Sequence, residues 1–157
     1  FFMRRKNQKL LAFFLAIPLI LGLIVGFLSR PTASYEALVK PFFSPPGFVF
    51  PIVWTILYLL MGISSYLIAQ SNNPRRYPAL ITYVEQLFVN LAWSPIFFTL
   101  NFRFLAFLWI LFLIYLVVKM IVQFKRVSHR AAYLQIPYLL WLIFAALLNF
   151  SIVILNL

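Results

Sequence analysis

Five long apolar stretches, separated by short clusters that carry nearly all of the charge, set the pattern of this chain. They fall at about 8–28, 50–70, 79–100, 104–124 and 131–155, each close to the roughly 20 residues a helix needs to cross a bilayer. The pattern predicts an all-α integral membrane protein: a single domain over residues 1–157, built as a five-transmembrane-helix bundle with a structured outer loop between helices 1 and 2. Arg4, Arg5, Lys6 and Lys9 precede the first run in the manner of a signal peptide. The apolar part is longer than a signal core and no small-x-small site follows, so a retained span is expected. The second run opens on Pro51, which a helix tolerates in its first turn. Asn101, Phe102 and Arg103 form a connection too short for anything but antiparallel neighbours. The fourth run is uncharged as far as Val118 and spans fully if Lys119 carries its ammonium out to the interface. No internal repeat is visible, so the inverted repeats of many transporters are not expected.

Composition sharpens this picture. The chain is 65% hydrophobic and 10% charged, with a mean hydropathy of +1.02, which removes the soluble classes. Thirteen Lys and Arg against two acids give a net charge of +11. Because the basic residues flank the apolar runs, this charge reports topology and no nucleic-acid partner is expected. With five spans, ten Lys and Arg fall on the side of the N-terminus and only Arg30, Lys40 and Arg103 on the other. The positive-inside rule then places the N-terminus in the cytoplasm and the C-terminus outside. The absence of Cys excludes disulfides and thiolate chemistry, and the single His129 leaves too few nitrogens for a zinc or copper site, so no metal is expected.

Polar groups at membrane depth are costly unless paired or lining a cavity, so each is a candidate for function. Glu85 lies seven positions into the third run. One reading has Arg75, Arg76 or Lys125 neutralise it near the interface; the other is the substrate carboxylate of a proton-coupled antiporter. Asn90 and Trp93 lie three apart on one face of the same run, followed by Pro95. Trp54, Tyr58 and Gly62 make an i, i+4, i+8 stripe in the second run, and Tyr138, Trp141, Ala145 and Leu148 make another in the fifth, beside Asn149. Three helices thus present aromatic faces with a few polar anchors, a surface suited to a flat conjugated ligand. Ordinary helix packing and interfacial belts use the same residues. Gly22 and Gly26, with Ala12 and Ala16, form small-x-x-x-small pairs that fit either a homodimer seam or packing within the bundle. Residues 29–50 hold four prolines, four phenylalanines and a tyrosine. That mixture predicts a lid folded over the outer end of the bundle, since proline lowers the entropy lost on ordering and the aromatics favour burial; an interfacial aromatic belt with an incidental turn is the other reading.

Three segments carry a resemblance. SPPGFVFPIVWTILY at 44–58, NLAWSPIFF at 90–98 and PYLLWLIFAALLN at 137–149 resemble, in order and in register, the signature segments of the translocator protein family, which includes the tryptophan-rich sensory proteins and peripheral benzodiazepine receptors. The chain looks like a bacterial member, which implies a multi-pass protein of the bacterial plasma membrane. The resemblance implies a five-helix bundle whose outward cavity binds protoporphyrin or a related tetrapyrrole and, in animal relatives, synthetic hydrophobic ligands such as isoquinoline carboxamides. Carried onto this sequence, the family pocket falls on Trp54, Tyr58, Asn90, Trp93, Trp141 and Ala145, with Tyr138 on the same stripe and Tyr35 and Pro45 of the lid closing it. Bacterial relatives are associated with light- and oxygen-dependent porphyrin breakdown, and that role would fall on Trp54 and Trp141. Two departures stand out. Phe48 occupies a position where the family commonly has Trp, and residues 150–157 lack the Tyr and Arg of the animal cholesterol motif, which argues against sterol binding.

A porphyrin would offer its ring to Trp54, Trp93 and Trp141, each stack contributing roughly 0.5–1.5 kcal/mol beyond area burial. Its propionates would find Arg30 and Lys40 in the outer loop. No built-in cofactor is implied, and no general acid/base pair or activated nucleophile stands out. Any turnover would use the porphyrin as its own photosensitiser. Three readings remain: a receptor or sensor for porphyrins, a transporter of tetrapyrroles or other lipophilic molecules, and a scaffold acting through a Gly22 and Gly26 dimer.

Overall fold

A computed structural model of the chain describes residues 5–29 and 37–157. Tyr35 and Arg30, both assigned roles above, lie outside the described residues. All regular structure among the described residues is helical: α1 (Arg5–Leu28), α2 (Val49–Ala69), α3 (Arg76–Ser94), α4 (Arg103–Lys125), α5 (His129–Leu134) and α6 (Ile136–Leu155). A π-helical turn, Pro95–Thr99, extends α3.

The long elements match the apolar runs. α1 from Gln8, α2, α4 and the near-continuous pair α5 and α6 are long and apolar enough to cross a membrane. α3 has comparable length but carries Arg76, Glu85, Gln86 and Asn90, which keep its hydropathy below that of the other four. Its start lies three residues before the expected Ala79. Asn73 sets that boundary, its side chain accepting the Arg75 N–H at 2.9 Å and its carbonyl the Arg76 N–H at 3.1 Å. The fifth run is interrupted at Gln135, and Pro137 lies in the first turn of α6, where its missing N–H costs nothing. Ser128 caps α5, its side chain accepting from the Ala131 N–H at 3.3 Å. Between α3 and α4, Asn101 takes a left-handed backbone (φ 59°), which asparagine tolerates better than most residues.

α1 lies along α2, α3 pairs with α4, α4 with α6, and the short α5 wedges between α2 and α4. Gly62 permits the first contact: a Cβ there would stand 2.8 Å from the Leu15 Cα and the Phe14 carbonyl. The exterior is apolar, unlike that of a soluble protein, and a few polar side chains are buried within an apolar core. Phe13, Leu23, Phe27, Ile81, Val84, Phe88 and Leu140 are exposed, while Ser64, Ser65, Gln86, Gln135 and Asn149 are buried. That is the arrangement a hydrocarbon solvent selects, since lipid accepts the apolar exterior and hydrogen bonds must be satisfied within.

The described part of the outer connection packs in part, with Phe42 and Phe48 exposed. Phe43 meets the Phe144 ring edge-on at 6.2 Å, and Leu38, Phe43 and Phe50 pack on a satellite core of Phe97, Leu148 and Ile152. The Asn156 amide brackets Val39, accepting its N–H at 2.9 Å and donating to its carbonyl at 2.8 Å.

Candidate functional site

A cavity of about 500 Å³ opens between α1, α2, α3, α4 and α6, within the range typical of small-molecule sites. Trp54, Tyr58, Asn90, Trp93, Trp141 and Ala145 line it, as do Gly22 and Gly26. Helical spacing explains the grouping. Trp54 and Tyr58 stand one turn apart on α2, Asn90 and Trp93 on α3, and Trp141 and Ala145 on α6, so each helix turns one stripe inward.

Aromatic pairs from three helices form much of the wall. Trp54 and Tyr58 have ring centroids 5.5 Å apart, Trp93 stacks on Phe97 at 5.0 Å, and Trp141 meets Phe50 edge-on at 5.9 Å. The π-helical turn supplies part of this wall. Its defining bond runs from the Leu100 N–H to the Pro95 carbonyl at 2.9 Å, and it brings both Phe97 and Phe98 to the cavity. Trp141 divides the cavity from an apolar groove on the outer surface between α2 and α6, lined also by Val53, Pro137 and Phe144. Its indole N–H is buried and has no hydrogen-bond partner among the described residues.

A directed hydrogen-bond chain forms one side of the site. The Tyr58 hydroxyl donates to Asn90 Oδ1 at 2.8 Å, Asn90 Nδ2 to the Tyr138 hydroxyl oxygen at 2.7 Å, and that hydroxyl to Gln86 Oε1 at 2.8 Å. The chain ties α2, α3 and α6 together through groups that would be costly to bury singly. A second link fixes Trp93, whose Nε1 donates to Asn149 Oδ1 at 3.3 Å, while Asn149 Nδ2 donates to the Arg103 carbonyl at 3.0 Å. At the end of α1, Ser29 Oγ donates to the Val25 carbonyl at 2.5 Å and lies 2.8 Å from Ser94 Oγ. With its own proton spent on Val25, Ser29 takes the Ser94 proton, so α1 is tied to α3 at the cavity wall.

Three expected positions fall elsewhere. Tyr138 is fully buried beneath the wall, where it holds Asn90 and Gln86 and does not line the cavity. Pro45 is half-buried in the outer connection, away from the cavity, while its neighbours Gly47, Phe50 and Pro51 line it. Glu85 faces outward from α3, exposed and forming no ion pair among the described residues, so neither the paired reading nor an inward antiporter carboxylate describes it. Gly22 turns toward Tyr58: a Cβ there would stand 2.3 Å from its ring, so this glycine serves packing within the bundle. Gln86 and Ser94 were missed, although a glutamine or serine within an apolar run was the available signal, and Ser29 was missed just beyond the end of one.

A family model described as TspO/MBR family matches residues 14–155. The chain belongs to the TspO/MBR family. Among its TspO/MBR relatives, the tryptophan-rich protein TspO of Chlorobaculum tepidum is 35% identical, covering 96% of this chain and 99% of its own length. The tryptophan-rich sensory protein of Cereibacter sphaeroides is 34% identical over 83% of this chain and 82% of its own. The human translocator protein is 36% identical over 75% of this chain and 72% of its own. As a TspO/MBR member with four helices among the described residues apolar enough to span, this is a multi-pass membrane protein.

Proposed function

We propose that this protein is a membrane receptor or sensor that binds protoporphyrin or a related tetrapyrrole in the cavity, and that the same cavity takes hydrophobic drug-like ligands such as isoquinoline carboxamides. The observation that carries the reading is the cavity itself. Three tryptophans and Tyr58 surround about 500 Å³ into which Asn90 contributes an amide, which suits a flat aromatic ring with a few polar edges. In this reading α3 is the fifth spanning helix, its Glu85 near the interface, with the N-terminus in the cytoplasm and the C-terminus outside. The outer connection acts as a lid, Phe43 bearing on Phe144 and Asn156 holding Val39.

A bound porphyrin would also act as its own photosensitiser, with dioxygen as oxidant and the Trp54 and Trp141 indoles inside the same cavity. The test is a protoporphyrin titration of purified protein in the dark, followed by illumination in air, with Trp141→Phe and Trp54→Phe in parallel. Saturable binding by all three, with a discrete product formed by wild type and lost in either variant, supports a positioned photochemical role. Conversion by both variants at the wild-type rate removes that role and leaves a binding protein.

A further inference from the structure

The hydrogen-bond chain behind the cavity stops at a residue with an unmet donor. Gln86 Oε1 accepts the Tyr138 proton at 2.8 Å, yet Gln86 Nε2 is buried with no partner among the described residues. One turn before Tyr138, at the break between α5 and α6, Gln135 is wholly buried and neither its Nε2 nor its Oε1 has a partner. Gln123 Oε1 on α4 is likewise buried and unpartnered. Tyr83, one turn before Gln86, approaches Ser65 with its hydroxyl without reaching hydrogen-bond geometry.

These groups lie toward one end of the bundle. α3 and α6 run in the same direction, so the turn before Gln86 and the turn before Tyr138 lie together toward the end that carries residues 126–128. Tyr83 packs its ring on Phe124, next to Gln123, at 6.4 Å, and Tyr83, Phe124, Ala131, Ala132 and Tyr138 share one contiguous core. The set comprises donors (Gln86 Nε2 and Gln135 Nε2) and acceptors (Gln135 Oε1 and Gln123 Oε1) with no charge among them. A metal ion or an anion finds no counter-charge in such a set. A small neutral molecule that both donates and accepts does.

We propose that Gln86, Gln135 and Gln123 wall a second, internal site whose ligand is water, in continuity with the cavity through Tyr138, Asn90 and Tyr58. Buried water typically makes about three hydrogen bonds to polar groups that would otherwise go unmet, and this set supplies them. Water accepting from Gln86 Nε2 holds that amide with Oε1 toward Tyr138. It thereby sets the direction of every donor in the chain and turns the Tyr58 oxygen lone pairs, not its proton, toward the cavity. This inference does not rest on the porphyrin reading.

The test uses the full chain in lipid nanodiscs, comparing wild type with Gln135→Met and Gln123→Met. Radiolytic hydroxyl-radical labelling reports tyrosines that lie beside bound water even when they are buried. A hydrated site predicts that Tyr83 and Tyr138 label well above the apolar core in wild type and several-fold less in Gln135→Met. It also predicts that both variants melt a few degrees lower, because each removes a group that water was satisfying. A dry site reverses the sign: replacing unmet amides by Met would raise the melting temperature, since burying an unpartnered polar group is costly. Wild-type tyrosines as unreactive as the core, together with a more stable Gln135→Met, would overturn the proposal. If side-chain fit alone moves the melting temperature, the labelling of wild-type Tyr83 and Tyr138 decides.

Discussion

Gly22 and Gly26 lie one turn apart on α1, line the same cavity and look interchangeable in sequence, yet they meet different surroundings. A Cβ at Gly22 would stand 2.3 Å from the Tyr58 ring, whereas a Cβ at Gly26 meets nothing within 4 Å. The Tyr58 ring cannot simply yield, because its hydroxyl is held by Asn90 at 2.8 Å. Gly22→Ala is therefore expected to destabilise by about 1–3 kcal/mol, the range for overpacking, and to weaken ligand binding by displacing Tyr58. Gly26→Ala should be neutral or stabilising by up to about 1 kcal/mol, from the better helix propensity of alanine. Thermal melts of the two variants in one detergent check the contrast, and equal melting temperatures would contradict it. The stripes Trp54 and Tyr58, Asn90 and Trp93, and Trp141 and Ala145 were readable from sequence because a 3.6-residue period fixes which side chains share a face. Tyr138 was not separable from its stripe. It precedes Trp141 by three positions, and only the depth at which α6 crosses α3 decides that its hydroxyl meets Gln86 and Asn90 and not the cavity.

At the scale of helices, the apolar runs were legible because a single segment that crosses lipid alone satisfies its backbone only as a helix. Their ends and irregularities were less so. The start of α3 depends on Asn73, whose side chain and carbonyl both bind backbone N–H groups ahead of the run. The π-helical turn after Pro95 depends on a local choice of partner for the Leu100 N–H that hydrophobic spacing does not encode. Glu85 was likewise ambiguous, since position along the run gives depth but not the face on which a carboxylate emerges. The contact of α1 with α2 is the element-level feature most open to attack. Gly62 faces backbone, the Leu15 Cα and the Phe14 carbonyl, so no rotamer change relieves an added Cβ there. Gly62→Ala should displace α1, lowering stability by about 1–3 kcal/mol and loosening the cavity wall that α1 provides. Limited proteolysis in detergent checks this, with faster release of α1 as the expected outcome.

For the whole molecule, an apolar exterior suits a membrane, and the excess of Lys and Arg in the connections on one side of the spans gives the proposed orientation a test. The chain has no cysteine, so single cysteines report that orientation directly. Leu157→Cys should react with a membrane-impermeant maleimide on intact cells, and Asn72→Cys only after lysis. Reaction of both from the same side would require an even number of crossings between them and remove the five-span reading. Binding belongs to this scale too, since α1, α2, α3, α4 and α6 each contribute to the cavity. Ala145 lies on its wall with no side-chain bulk to spare, so Ala145→Phe should fill the space a macrocycle would need. The decisive measurement is a dark titration of wild type and Ala145→Phe with protoporphyrin, followed by tryptophan quenching. Saturable one-to-one binding by wild type, weakened at least about tenfold in Ala145→Phe (roughly 1.4 kcal/mol), is the expected result. Equal binding by a folded Ala145→Phe, or none by wild type, would contradict the assignment of the ligand to this cavity.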